Sequence, residues 1–138
     1  MASTMEVLVA TVEREVYHGR ASFLAAPSMD GELGILPRHA PLLAQLRPGE
    51  LRITTESGEV DEVFIKGGFL EVQPDRVFVL ADAAERATDI DEAEAAEAER
   101  RAREMLEKRT GDVDLARVEA EIAWLAARLA WLRKKKKQ

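Results

Sequence analysis

The sequence contains no cysteine, no asparagine and only two histidines. Without cysteine the chain has no disulfides, no thiolate zinc site and no cysteine nucleophile. His18 and His39 are far apart in sequence, so a histidine-rich metal site is not expected either. Few glutamines accompany the missing asparagine, while 33% of the residues are charged. Many charged residues and few amide side chains are typical of proteins from hot environments.

The chain also lacks a long apolar run and a recognisable leader. No apolar stretch approaches the roughly 20 residues that a membrane-spanning helix needs. Residues 1–4 run directly into an alternating, strand-like pattern rather than into the apolar core of a signal peptide. We therefore expect a protein that is cytoplasmic, or that is peripheral to a membrane.

Positive charge is scarcer than negative charge in residues 1–87. The net charge of −6 lies entirely in residues 1–87, whereas residues 88–138 are neutral overall and end in the basic run 133–137. A basic tail is compatible with an anionic surface or nucleic acid, but a terminal lysine run is more often a solvated end. We expect no nucleic-acid binding.

Residues 6–81 are dominated by short runs with a period of two. Turn-forming dipeptides such as Pro48-Gly49 and Ser57-Gly58 separate them at close intervals. No helical period interrupts the strands, so parallel crossovers are not expected, and the pattern predicts an antiparallel sandwich or barrel. The β-sandwich is the simpler of the two solutions. The predicted strands are Glu6–Val12, Ala21–Ala26, Leu51–Thr55, Glu62–Ile65, Phe69–Val72 and Val77–Leu80.

The stretch from Met29 to Ile53 combines turn-forming glycines and prolines with apolar residues. We interpret it as an ordered loop between strands that packs on the sheet while it exposes Glu32, Arg38 and His39, which makes it a candidate docking surface. A catalytic role for His39 lacks a positioned nucleophile and an orienting partner, so a hydrogen-bonded or partner-contacting histidine is favoured. The apolar residues expected to pack down are Leu33, Ile35, Leu36, Leu42, Leu43 and Leu46.

The period changes to helical at Thr88. Asp89 and Glu92 are interpreted as an acidic cap for a first helix that ends near Arg109. Three pairs at i,i+4 spacing support this helix, and its apolar face is small. The pairs are Glu97–Arg101, Glu99–Arg103 and Glu104–Lys108, and the face consists of Ala95, Ala98, Ala102, Met105 and Leu106.

A second helix is predicted after Gly111, with Asp112 or Asp114 at its start. It carries a heptad-like apolar seam, while Trp124 and Trp131 fall on the opposite face. The first helix can cover one face, so the tryptophan face needs the sandwich or a partner protein. The seam residues are Leu115, Val118, Ile122, Leu125, Leu129 and Leu132. The expected fold class is thus α+β, with a β-sandwich domain over residues 1–87 and a helical hairpin domain over residues 88–138.

Several motifs resemble the epsilon subunit of bacterial and chloroplast F-type ATP synthases, and the resemblance covers nearly the whole chain. One is the long run that begins at Asp30, Asp-Gly-Glu-Leu-Gly-Ile-Leu-Pro-Arg-His-Ala-Pro-Leu. The others are Leu46-Arg47-Pro48-Gly49, Gly67-Gly68-Phe69-Leu70-Glu71-Val72 and Ala81-Asp82.

The resemblance implies a non-catalytic rotor subunit at the cytoplasmic face of the cell membrane. In the family the sandwich clasps the gamma subunit and rests on the ring of c subunits, so Glu32 is expected to face the c-ring and His39 to lie near gamma, with Arg38 beside it. The helical hairpin either folds against the sandwich or extends into the alpha/beta hexamer and blocks ATP hydrolysis. An extended hairpin would bring Trp124, Arg128 and Trp131 to new partners.

One motif departs from the family. Epsilon subunits that bind ATP carry Ile/Leu-Asp-x-x-Arg-Ala, where the arginine meets the phosphates. This chain keeps Ile90 and Asp91 but has Glu94 in place of the arginine, and a carboxylate repels a triphosphate. No cofactor is therefore expected.

The alternative function is a free-standing adaptor in which the hairpin binds another helical protein.

Overall fold

The computed structural model describes residues 3–108 and 114–136. The chain divides into two compact units, one ending at Arg86 and the other beginning at Ala87. We call the first the sheet unit and the second the helical unit. Strand-rich and helical parts follow each other as predicted, which confirms the α+β class.

In its described residues, the sheet unit contains nine strands, including three that the sequence did not predict. These three are β3, β4 and β9. The strands are β1 (Met5–Ala10), β2 (Glu15–Ser28), β3 (Gly31–Ile35), β4 (Leu42–Leu46), β5 (Gly49–Thr55), β6 (Val60–Ile65), β7 (Gly68–Val72), β8 (Arg76–Ala81) and β9 (Ala84–Glu85).

Strand β2 connects the part of the sheet that contains β1 with the part that contains β3 and β5. Its first half pairs with β1, and its second half pairs with β3 on one side and β5 on the other. Neighbouring strands run in the order β1-β8-β7-β4-β2-β5-β6-β9, and the additional β1–β2 pairing closes the first five into a ring. The core inside consists of alternate residues from these strands and lies entirely between Met5 and Ala84.

Three expectations for the sheet unit were wrong. Pairing is antiparallel except between β1 and β8, which are parallel, because a closed ring of five strands cannot alternate in direction at every pairing. The stretch from Met29 to Ile53 is not a loop, since it contains β3, β4 and most of β5. Leu36 and Leu43 in that stretch are exposed rather than packed down. For Leu43 the cause is the alternation of β4, which points every second side chain outward.

The helical unit begins with a short 3-10 helix at Ala87–Asp89, followed by α1 (Glu92–Glu107) and α2 (Leu115–Lys136). The cap of α1 is Asp91 rather than Asp89, and its side chain accepts a hydrogen bond from the backbone N–H of Glu94 at 3.0 Å. Asp89 is unsuited because it is the last residue of the 3-10 helix, and Ile90 and Asp91 separate it from α1.

The start of α2 agrees with one of the two predicted caps. Asp114 Oδ1 accepts a hydrogen bond from the backbone N–H of Arg117 at 3.2 Å. The predicted stop at Gly111 and the alternative cap Asp112 lie outside the described residues. Among the described residues, no helix is long and apolar enough to cross a membrane.

Helix α1 has many charged side chains on its surface and few buried residues. Glu97 pairs with Arg101 as predicted and also with Arg100, and these hydrogen bonds lower the pKa of the Glu97 carboxyl to about 2. The predicted Glu99–Arg103 pair is present at 2.8 Å. Within α1 only Ala95 is buried, and Met105, expected on the apolar face, is 72% exposed.

Salt bridges also join the start of α1 to the end of α2. Arg133 Nε lies 3.1 Å from Glu92 Oε1, and Lys136 Nζ lies 3.6 Å from Glu92 Oε2. These pairs require the two helices to run antiparallel, as a hairpin. Part of the basic tail therefore meets an acidic helix start, which is also favourable for the helix dipole.

A fragment of residues 1–87 is predicted to fold alone, because the core cluster lies entirely within the sheet unit. Thermal unfolding followed by circular dichroism should show one cooperative transition with a strand-type spectrum. The full chain serves as the reference, since it adds helical signal. A fragment without a cooperative transition would mean that the helices complete the core.

Candidate functional site

The outer surface of β4, β7 and β8 carries large apolar side chains where a solvated sheet would carry polar ones. Strand β8 shows the pattern clearly: Val77 and Val79 point into the core, while Phe78 and Leu80 point outward. We define the outer apolar face as Leu43, Phe69, Phe78 and Leu80, which are 70%, 54%, 36% and 39% exposed.

Strand register brings these four side chains together. Phe69 of β7 lies directly opposite Leu80 of β8. On the next pair along, Leu43 of β4 lies opposite Glu71, which in turn lies opposite Phe78. Directly opposed side chains on one face have Cβ atoms about 5 Å apart, so the four form one continuous patch around Glu71.

A contiguous apolar patch of this kind marks an interaction surface. It was not predicted from the sequence, although a signal was available. The runs Phe69–Val72 and Val77–Leu80 have apolar residues at both phases of the alternation, which predicts a strand that is covered on both sides.

The three loop residues predicted to contact partners have separate neighbours. Glu32 lies in β3, where its carboxylate forms an ion pair with Arg52 of β5. Arg38 follows β3 in a left-handed conformation with φ 69°, and its backbone N–H donates to the Pro74 carbonyl at 2.8 Å. His39 is half-buried, and its Nδ1–H donates to the Ala40 carbonyl at 2.7 Å.

The geometry supports the interpretation of His39 as a hydrogen-bonded histidine. The Ala40 carbonyl orients its ring, so the Nε2 atom is the part of the imidazole left for a partner. Glu32 and Arg38 are exposed and charged. These residues suit polar contacts, in contrast to the outer apolar face.

Helix α2 buries residues on two opposite faces. Ile122, Leu129 and Leu132 of the predicted seam are buried, and so are Trp124 and Trp131 on the other side. Leu115, at the start of the seam, is 40% exposed. Contact between the tryptophans and a partner protein would therefore require a change of conformation.

Two cations accompany the tryptophan face. Arg128 is half-buried one turn after Trp124, and the Lys135 Nζ lies 5.9 Å from the centroid of the Trp131 ring. A lysine ammonium at this distance from an indole face is favourable. This face is therefore amphipathic as well as buried.

The residues that correspond to the family's ATP-binding motif have structural roles in this chain or are exposed. Ile90 is buried, and Asp91 caps α1 through its bond to the Glu94 amide. The Glu94 side chain is exposed at the first turn. Nearby Arg100 and Arg101 are both paired with Glu97, so their charges are compensated.

Comparisons with known proteins agree along the whole chain. Residues 4–87 match the family model for the β-sandwich domain of the ATP synthase delta/epsilon chain, and residues 88–131 match the model for its long α-helix domain. A protein named ATP synthase epsilon chain from Thioalkalivibrio sulfidiphilus is 51% identical over 97% of this chain and 96% of its own length. The protein of the same name from Halorhodospira halophila is 51% identical over 99% and 97%.

Two solved structures share the fold. A chain of the Euglena gracilis mitochondrial ATP synthase, in a cryo-EM structure of OSCP, F1 and the c-ring, aligns with a TM-score of 0.74 and 24% identity. The alignment covers 94% of this chain and 81% of that one. A chain from the central stalk and c-ring of the Tetrahymena thermophila mitochondrial ATP synthase aligns with a TM-score of 0.58 and 20% identity, covering 96% of each.

ATP should not bind at micromolar concentrations, because Glu94 presents a carboxylate to the phosphates and Glu97 already occupies Arg100 and Arg101. Isothermal titration calorimetry with ATP checks this directly. Glu94→Arg should raise the affinity. The matched control is Glu107→Arg, which makes the same charge change at the other end of α1 and should have little effect. Tight binding by the unaltered chain would mean that other residues form a nucleotide site.

Proposed function

Because the chain belongs to the delta/epsilon family of ATP synthase subunits, we propose that it is the non-catalytic central-stalk subunit that couples the c-ring to gamma. Relatives named ATP synthase epsilon chain match it over nearly their full length. Catalysis then belongs to other subunits of the complex. The chain associates with the cytoplasmic face of the membrane through that complex.

The outer apolar face is the observation that carries this proposal. Monomeric proteins rarely expose a contiguous group such as Leu43, Phe69, Phe78 and Leu80. A rotor subunit must transmit torque without slipping, which requires a well-packed interface on a rigid element. The face lies on three paired strands whose other side forms the core, so its side chains are held in place. We assign gamma as the protein that covers it.

A second, polar contact is assigned to the c-ring and the base of gamma. Glu32 lies on β3, and Arg38 and His39 lie between β3 and β4, so none of the three is on the strands that carry the outer apolar face. The ion pair of Glu32 with Arg52 holds the carboxylate in a defined position. Such exposed charges contribute more to orientation and association rate than to affinity. The sheet unit therefore has one contact for strength and another for orientation.

The helical unit is assigned a regulatory role. Its second helix buries two opposite faces, so extension toward the alpha/beta hexamer would exchange one set of buried contacts for another. The salt bridges of Arg133 and Lys136 with Glu92 hold the hairpin closed and are exposed to solvent. Exposed pairs contribute little, about 1 kcal/mol or less each, so they do not lock the hairpin.

Substitution within the outer apolar face should disrupt the complex with gamma. Leu80→Asp places a charge within the outer apolar face, directly opposite Phe69, and should weaken copurification with gamma by at least about 30-fold, corresponding to about 2 kcal/mol for a buried interface residue. Val60→Asp is the matched control, because Val60 is 53% exposed on β6, which does not contribute to the patch.

Thermal unfolding of both isolated variants checks that each remains folded. A folded Leu80→Asp variant that copurifies with gamma as well as Val60→Asp does would refute the assignment of this face. Recovery of the unaltered chain only as a stable monomer would instead favour the adaptor function.

Deletion of residues 112–138 should raise ATP hydrolysis by the assembled enzyme while leaving rotor assembly intact, because the sheet unit makes the stalk contacts. Hydrolysis is measured at low salt and without a membrane potential. Neutralising Lys134–Lys137 should have a smaller effect in the same direction, because the extended hairpin loses the attraction of these lysines to acidic surfaces, whereas the folded hairpin loses the weak, exposed Lys136–Glu92 pair. An unchanged rate in the truncated complex would leave the hairpin as a structural brace.

A further inference from the structure

His18 lies between two carboxylates on the outer surface of β1 and β2. Its Nε2 atom is 2.7 Å from Glu6 Oε1, and its Nδ1 atom is 3.3 Å from Glu15 Oε1. A neutral imidazole has one donor and one acceptor nitrogen, whereas an imidazolium has two donors. Only the protonated ring can donate to both carboxylates at once. We call this arrangement the histidine bridge.

A β-bulge creates the histidine bridge. Val9 pairs with Tyr17 and Ala10 pairs with Glu15, so Val16 is an extra residue on β2. In a regular strand Glu15 and His18, three residues apart, would point to opposite faces. The extra residue shifts the phase and brings Glu15 to the same face as His18. The bridge and the bulge therefore depend on the same local geometry.

The bulge residue also holds the end of the sheet unit. The Val16 carbonyl accepts a hydrogen bond from Arg86 Nη2 at 3.1 Å. The same guanidinium lies 3.2 Å from Asp61 Oδ2 and 5.9 Å from the centroid of the Tyr17 ring. Arg86 is the last residue of the sheet unit, and the helical unit starts at the next residue. This anchor thus fixes the point from which the helical unit departs.

Charged groups around the ring favour its protonated form. Glu6 faces it from β1 and Glu15 from β2, while Arg20 follows on the same face of β2 and Arg76 of β8 is the neighbour of Glu6. The hydrogen bond with Glu6 raises the pKa of His18, desolvation opposes that rise, and the charge of Glu15 adds to it. The bridge is complete below the ordinary histidine pKa and is lost as pH rises through the raised one.

We propose that protonation of His18 closes the histidine bridge, fixes the bulge at Val16 and so holds the Arg86 anchor where the chain leaves the sheet unit. When the proton is lost, only one ring nitrogen can still donate a hydrogen bond, either to Glu6 or to Glu15. The other nitrogen then presents a lone pair to the remaining carboxylate. Repulsion between that lone pair and the carboxylate then weakens the bulge, and the Val16 carbonyl is held less firmly. The Arg86 anchor at the end of the sheet unit thereby becomes sensitive to pH near neutrality.

NMR titration of the full chain tests this proposal, because only two imidazoles have to be assigned. His39→Gln identifies the His18 resonances and is the matched control. His18 should titrate above 6.5, and the backbone amides of Val16, Arg86 and Ala87 should shift with the same midpoint. His39→Gln should preserve that behaviour, whereas His18→Gln should abolish the shared midpoint at these amides.

Glu15→Gln separates the bridge from a simple pair between His18 and Glu6. It should lower the midpoint of His18 and reduce the shifts at Arg86 and Ala87, while the strand signals of the sheet unit remain. A His18 midpoint at or below 6.5, or one that Glu15→Gln leaves unchanged, would overturn the bridge. Amides at Arg86 and Ala87 that do not follow His18 would overturn its link to the anchor.

Discussion

Strand β2 has to serve four neighbours in succession, and the arrangement of the sheet unit depends on how it does so. It is 14 residues long and pairs with β1, β3, β4 and β5. In a regular strand of this length, side chains would alternate between the same two faces from one end to the other. Register shifts at Val16 and Ser22 change the phase, so β2 turns from one part of the sheet into the other while its buried residues stay inside.

Closure through β2 explains where the surfaces lie. Because β1, β8, β7, β4 and β2 form a ring around one core, each contributing strand has an outward side that the core does not need. On β7 and β8 that side is apolar, and on β1 and β2 it carries the charged residues around His18. One scaffold thus presents the outer apolar face and, next to it, the polar surface around His18.

The fold was predictable wherever a local pattern decided the structure. Strand alternation predicted β5 to β8, and the seam of α2 predicted a helix with two apolar faces, because these signals lie within one element. Strands β3 and β4 were not predicted because the glycines and prolines around them, Gly31, Gly34, Pro37 and Pro41, favour turns. Pairing of β3 with β2 and of β4 with β7 overrides that preference. The parallel pairing of β1 with β8 joins residues about 70 apart, which no local pattern reports. The outer apolar face was missed for a similar reason, since it forms only when three strands align.

Packing of the outer apolar face against gamma in the assembled enzyme can be tested by cross-linking. The chain has no cysteine, so a single introduced one gives a unique attachment point for a short photoreactive cross-linker. Leu80→Cys in the assembled ATP synthase complex should give a cross-linked product with gamma after illumination, and Val60→Cys should give none. Absence of a gamma product from Leu80→Cys, or equal yields from the two positions, would contradict the assignment of this face to gamma.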